Sequence, residues 1–149
     1  MVRIAEYNQH KSNAELMQAA GELMFRGYVI ASGTLARSSL EAHLRRLLEW
    51  HSPISKAGKR YPVGIMLGKL TRAHVIDRST AAELRRAFRI GSRCIHGRPV
   101  GYADVAHLLD RVRLLLVTHP INEDLCDQSE EIAKNWGKEE SGGDCCQAG

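Results

Sequence analysis

Apolar residues recur along this chain at intervals of three and four, the spacing that lines one face of an α-helix. Leu16, Ala20, Leu23 and Met24 mark a first helix that Ser12 or Asn13 can cap and that runs to about residue 26. Gly27 punctuates it. Leu40, Leu44, Leu47 and Leu48 define a longer second helix over 28–50, and Gly33 inside it, about 1 kcal/mol poorer than Ala as a helix former, points to a close helix contact. A loop at 51–61 carries Pro and Gly breakers, and Met66, Leu67 and Leu70 then turn inward on a short third helix over 63–73. Thr80-Ala-Ala-Glu83 reads as a capping box opening a fourth helix to about residue 96, with Ala81, Leu84, Phe88 and Ile95 apolar and Gly97 as its left-handed stop. Val105, Leu108, Leu109, Val112, Leu115 and Leu116 stripe a fifth helix over 102–117.

No strand alternation persists and no repeat occurs. The expected fold is all-α, an antiparallel bundle of four or five helices spanning residues 13–120. Residues 1–12 form an N-terminal extension. Residues 121–149 turn polar and acidic, a largely disordered tail with a helical turn or two at 130–136.

The chain has 149 residues, enough for one domain with a real core. No apolar run approaches the roughly 18 residues of a membrane span, and the first six residues lack a signal-peptide core. Aromatic residues make up 5%, which argues against a β-sandwich and against an aromatic-stacking nucleic-acid platform. The net charge of +4 conceals an asymmetry: residues 26–113 carry 17 Lys/Arg against 6 acids, whereas 114–149 carry 2 against 8. A body at +11 favours a polyanionic partner by attraction and counterion release, unless these charges merely coat helix surfaces. The −6 tail is of the sign to shield that body in cis. Cys94, Cys126, Cys145 and Cys146 contain no C-x2-C pair and read as free thiols of a reducing cytoplasm, not as a disulfide framework or a zinc site.

On the fourth helix Arg85, Arg89 and Arg93 recur every four residues, with His96 three beyond, so Arg89, Arg93 and His96 share a face. Like charges at that spacing repel by a few tenths of a kcal/mol each, so the stripe calls for acids from another helix or for a ligand phosphate. An imidazole, with an unperturbed pKa of roughly 6.5, can take the proton of a ribose 2′-hydroxyl or give one to a departing 5′-oxygen. Neighbouring guanidiniums can hold the scissile phosphate and stabilise its transition state. No metal or other cofactor is needed, because the nucleophile belongs to the substrate, and that nucleophile exists in RNA but not DNA. A histidine in the last turn of a helix also caps carbonyls and complements the dipole, which is the plain structural alternative.

The segments Ala20 to Ala31, Leu35-Ala-Arg37-Ser-Ser-Leu40-Glu41 and Leu44-Arg-Arg-Leu47-Leu48, followed by Arg89-Ile-Gly-Ser-Arg93-Cys-Ile-His96, resemble the HEPN superfamily and its DUF4145-like branch over about residues 14–117. The resemblance implies a helical bundle that dimerises, placing two R…H motifs across one cleft. It also implies metal-independent endoribonuclease activity, as in toxins of toxin–antitoxin and phage-defence systems, although other members are non-catalytic binding modules. Carried over, His96 is the acid/base and Arg89 the phosphate-binding arginine, with Arg93 on the same face. Ile90 stands where a polar residue commonly follows the motif arginine, and the shorter four-residue spacing would place Gly91 at the arginine position with Ser92 after it.

Other residues fill out this picture. Arg37 and Glu41, at i and i+4, form a structural pair or brace the cleft, and Ser92 supports it. Arg85, Arg86, Arg45, Arg46, Lys59 and Arg60 widen a basic surface that would grip RNA, transfer RNA among the options, or are solvated edges. The remaining histidines have no metal-ligand spacing. Expected partners are a second copy of the chain, RNA, and an antitoxin or other protein. A dimeric scaffold with bystander charges is the blandest reading.

Overall fold

The computed structural model describes residues 12–51 and 60–121, which fold into α1 (Asn13–Phe25), α2 (Val29–His51), α3 (Val63–Arg72), α4 (Arg78–Ile95) and α5 (Tyr102–Thr118). No strand occurs among the described residues, so the class is all-α. Lys59, Cys126, Cys145, Cys146 and the helical turn expected at 130–136 lie outside them.

Local chemistry sets the helix ends. Ser12 and Glu15 close a reciprocal capping box at the start of α1, the Ser12 hydroxyl accepting from the Glu15 N–H at 3.3 Å and the Glu15 carboxylate accepting from the Ser12 N–H at 2.9 Å. At its end Gly27 takes φ +85°, and the Tyr28 N–H reaches back to the Leu23 carbonyl at 2.9 Å. The end of α4 repeats the device: Gly97 has φ +62° and the Arg98 N–H donates to the Arg93 carbonyl at 2.9 Å.

The start of α4 departs from the expected capping box. Asp77 is the N-cap, its carboxylate accepting from the Thr80 N–H at 2.6 Å, and the helix begins at Arg78. A carboxylate here both satisfies an orphan donor and faces the positive end of the dipole, advantages a threonine hydroxyl lacks. Glu83 is left to turn toward α5, where it pairs with Arg111 at 3.5 Å.

Helix α2 is the hub, packing against all four others. Two glycines make this approach close. A Cβ on Gly33 would overlap the Cys94 sulfur and sit 3.4 Å from Val105, and one on Gly91 would sit 2.5 Å from the Arg37 Cβ. Residues 33 and 37 thus face 94 and 91, so α4 runs antiparallel to α2. The pairing of Gly33 with Val105 and of His43 with His119 makes α5 parallel to α2. The Ser32 hydroxyl donates to the Ala20 carbonyl at 2.7 Å and the Asn13 amide lies 3.5 Å from the His43 ring, so α1 runs antiparallel to α2. These directions bring the α1–α2 and α4–α5 turns to one end of the bundle, while α3 packs on α2 and α4.

Leu40, Leu44, Met66, Leu67, Leu70, Ile76, Leu84, Leu108 and Leu115 are fully buried, each contributing about 1.5–3 kcal/mol of transfer free energy. Ile95, one of the apolar positions of α4, is exposed. It lies beyond the crossing at which Gly91 and Cys94 meet α2, so the core no longer reaches it.

Candidate nucleic-acid interface

One arc of α4 is buried, formed by Ala81, Leu84, Ala87, Ile90, Gly91 and Cys94. The opposite arc carries Arg78, Arg85, Arg86, Arg89 and Arg93, with His96 just past the helix end, and all six are exposed. At 100° per residue these six side chains fall within an arc of roughly 100°, and Arg85, Arg89 and Arg93 succeed one another by about 6 Å along the axis. The arc contains no carboxylate. Arg78, Arg85, Arg86 and Arg89 have no ion pair among the described residues. Five guanidiniums held this close, with no carboxylate paired to them among the described residues, make a site of raised positive potential.

Arg93 donates a hydrogen bond to the Pro99 carbonyl, which ties it to the turn leading into α5. His96 is the C-cap of α4: its backbone N–H bonds the Ser92 carbonyl at 3.1 Å, and its exposed ring makes no hydrogen bond among the described residues. This is the negative end of the helix dipole, so an anion bound here would be held by side chains and not by orphan backbone N–H groups.

The supporting residues differ from expectation. Arg37 does not pair with Glu41; Glu41 accepts instead from Arg45 at 3.1 Å. A glutamate offered arginines four residues on either side prefers the C-terminal one, the orientation that agrees with the helix dipole. Arg37 is then free to lay its aliphatic stem over Gly91 and its guanidinium over the Phe88 ring, 4.7 Å from the centroid. Ser92 returns its hydroxyl to the Phe88 carbonyl at 3.0 Å. Arg45 and Arg46 are half-buried on α2, and Arg60 is exposed before α3. Arg78 extends the row by two further turns. Its place was readable from the i, i+7 relation to Arg85 once Asp77 is taken as the cap.

Cys94 lies beneath this face, and burial pushes its thiol up, so it stays protonated and unreactive at neutral pH. A groove of about 390 Å³ between α4 and α5 is lined by Asp77, Glu83, Arg111 and His119 among others, but its two carboxylates against one arginine leave no positive excess for a polyanion. Among the described residues no cluster of three or more His, Cys, Asp or Glu side chains could hold a metal ion, and no helix is long and apolar enough to cross a membrane.

Fold and surface together define an all-α helical protein with one polybasic helix face. Comparison with protein-family models, with curated proteins and with solved structures finds no match to this chain.

Proposed function

We propose that this protein binds RNA across the exposed face of α4 and cleaves it at His96 without a metal, as a homodimeric endoribonuclease of the HEPN type. The observation that carries the reading is the row of arginines, exposed and lacking ion pairs among the described residues, that leads to an exposed imidazole with no hydrogen bond there. Phosphates seat on Arg85, Arg86 and Arg89. One His96 removes the 2′-hydroxyl proton, the 2′-oxygen attacks the adjacent phosphorus, and the bond to the 5′-oxygen breaks. The second copy's imidazole, entering protonated, gives the 5′-oxygen its proton. The products are a 2′,3′-cyclic phosphate and a 5′-hydroxyl.

The test is incubation with end-labelled transfer RNA in the presence of a chelator, wild type beside His96→Ala, with product ends identified. Cyclic phosphate ends that vanish in a folded, still dimeric His96→Ala protein support the proposal. Undiminished cleavage by that variant overturns it.

One observation favours a second reading, a non-catalytic RNA-binding module. Arg93 is drawn to the Pro99 carbonyl, and no described residue orients the His96 ring, whereas a general base is ordinarily held by a partner. That reading expects salt-sensitive binding with no cleavage by the wild type in any buffer.

A further inference from the structure

The low aromatic content argues against a base-stacking platform, but content says nothing about placement. Six aromatic residues are described, and three of them stand in solvent at one end of the bundle: Phe25 is 93% exposed, Tyr28 61% and Tyr102 62%. Phe25 closes α1, Tyr28 precedes α2 and Tyr102 opens α5. The contacts of Gly33 with Cys94 and Val105 put all three at the level of the α4–α5 turn. Exposed Arg26, Arg93 and Arg98 share that end, and the α4 arginine row points toward it. Rings this exposed gain nothing from the core, and each leaves a large apolar face in water.

We propose that Phe25, Tyr28 and Tyr102 form a stacking platform for unpaired bases, so that the RNA held along α4 is a single strand or loop and not a duplex. The inference rests on the RNA-binding reading above and names its substrate class. Two or three rings suffice to hold two or three bases, and stacking is tolerant of sequence because every base has a π-face. In a duplex those faces are covered by neighbouring pairs, and the bases cannot reach a protein ring. The arrangement is also consistent with chemistry at His96. In-line attack by a 2′-hydroxyl requires the bases flanking the scissile phosphate to splay apart, and rings beside that position would hold them so.

Fluorescence anisotropy at about 50 mM salt tests this with three 2′-O-methyl probes that cannot be attacked. These are a twelve-nucleotide oligoadenylate, an abasic backbone of the same length and a duplex of the same length. The wild type is expected to bind oligoadenylate at least 10-fold more tightly than the abasic chain. Tyr28→Ala and Tyr102→Ala should each weaken oligoadenylate binding about 5-fold or more, leave the abasic probe and the salt dependence unchanged, and be rescued by Phe at the same position. Arg85→Ala should weaken all three probes. Equal binding of base-bearing and abasic probes by the wild type overturns the platform and leaves the RNA reading standing, whereas failure to bind any probe overturns that reading and the platform with it. Tyrosine variants that change sedimentation mass without changing the probe ratio would show this end to be a protein interface, and would also overturn the platform.

Discussion

The Nε2 of His43 lies 2.8 Å from the carbonyl oxygen of His119, joining the middle of α2 to the residue that ends α5. A carbonyl only accepts, so Nε2 carries a proton, and Nδ1 faces the Asn13 amide nitrogen at 3.5 Å. His119 in turn donates from its own Nε2 to the Val75 carbonyl at 3.0 Å. One chain of contacts therefore crosses from α1 through α2 and α5 to the α3–α4 connection. His43 is only 4% exposed, so its removal leaves both a void and an unpaired carbonyl. His43→Ala should lose about 2–4 kcal/mol and His43→Phe, which restores volume but not the donor, about 1–3 kcal/mol. Urea denaturation reads both. A His43→Phe protein as stable as wild type would reduce the ring to a filler.

His74 is the non-glycine residue with positive φ, +57°, among those described. It occupies at the end of α3 the position that Gly27 and Gly97 occupy at α1 and α4, with the Val75 N–H returning to the Leu70 carbonyl at 3.0 Å. A side chain in the left-handed region is strained where glycine is not. His74→Gly should therefore stabilise the protein by about 1 kcal/mol and raise its melting temperature by several degrees. Gly27→Ala should do the opposite by a similar amount. An unchanged or lowered melting temperature for His74→Gly would show that its side chain supplies more than the backbone strain removes.

These histidines show where the sequence stops being legible. Gly27 and Gly97 announce helix ends because only glycine enters the left-handed region without penalty. His74 does the same work silently. The five helices and their apolar stripes follow from periodicity, and the arginine row of α4 follows from its four-residue spacing. What sequence spacing could not rank were competing local partners: Asp77 over Thr80 as a cap, and Arg45 over Arg37 for Glu41. Nor could it choose between a surface and a packed His43, a lone histidine with partners 30 and 76 residues away. The aromatic end needed topology, because Phe25 and Tyr102 come to the same end of the bundle only through the directions of four helices.

Gly33 was legible as a close contact, and the structure names the partner. A methyl group there collides with the Cys94 sulfur, a short side chain on the facing helix. The better helix propensity of alanine, about 1 kcal/mol, works against the overlap, so Gly33→Ala should be net destabilising by about 1–2 kcal/mol. Removing the sulfur makes room. In the double variant Gly33→Ala with Cys94→Ala, the penalty should shrink below the sum of the two single changes. A strictly additive double-mutant cycle would place the contact elsewhere.

Asp77 gives the fold a pH dependence whose sign is fixed. The Thr80 backbone N–H, assisted by the Thr80 hydroxyl, holds its carboxyl below the usual carboxylate range. A group depressed in the folded state contributes stability above its unfolded pKa, about 3.9, and loses it as pH falls through the folded value. Asp77→Asn should be less stable than wild type at pH 7, and the gap should narrow at a pH well below about 3.9, as the folded carboxylate takes up its proton. Urea midpoints at the two pH values measure this. A gap independent of pH would assign the difference to packing.

Arg89 has an arginine four residues to either side and no ion pair among the described residues. Within an isolated helix each such like-charge pair is unfavourable by about 0.2–0.5 kcal/mol. Arg89→Gln removes two of these repulsions and keeps helix propensity, so it should raise stability by a few tenths of a kcal/mol to about 1 kcal/mol. The same change removes one phosphate contact, so RNA affinity should fall, and the slope of log K against log salt should become shallower by about 0.7 for a single strand. Arg113→Ala, which removes a charge already beside Asp110 at 3.8 Å, should leave that slope unchanged. A protein that tolerates such repulsion without a ligand to relieve it has no evident reason to retain it. Stability that rises while binding falls is the signature of a row maintained for a polyanion. If Arg89→Gln binds RNA as tightly as wild type with the same salt slope, the α4 face is a solvated surface and the phosphate site lies elsewhere.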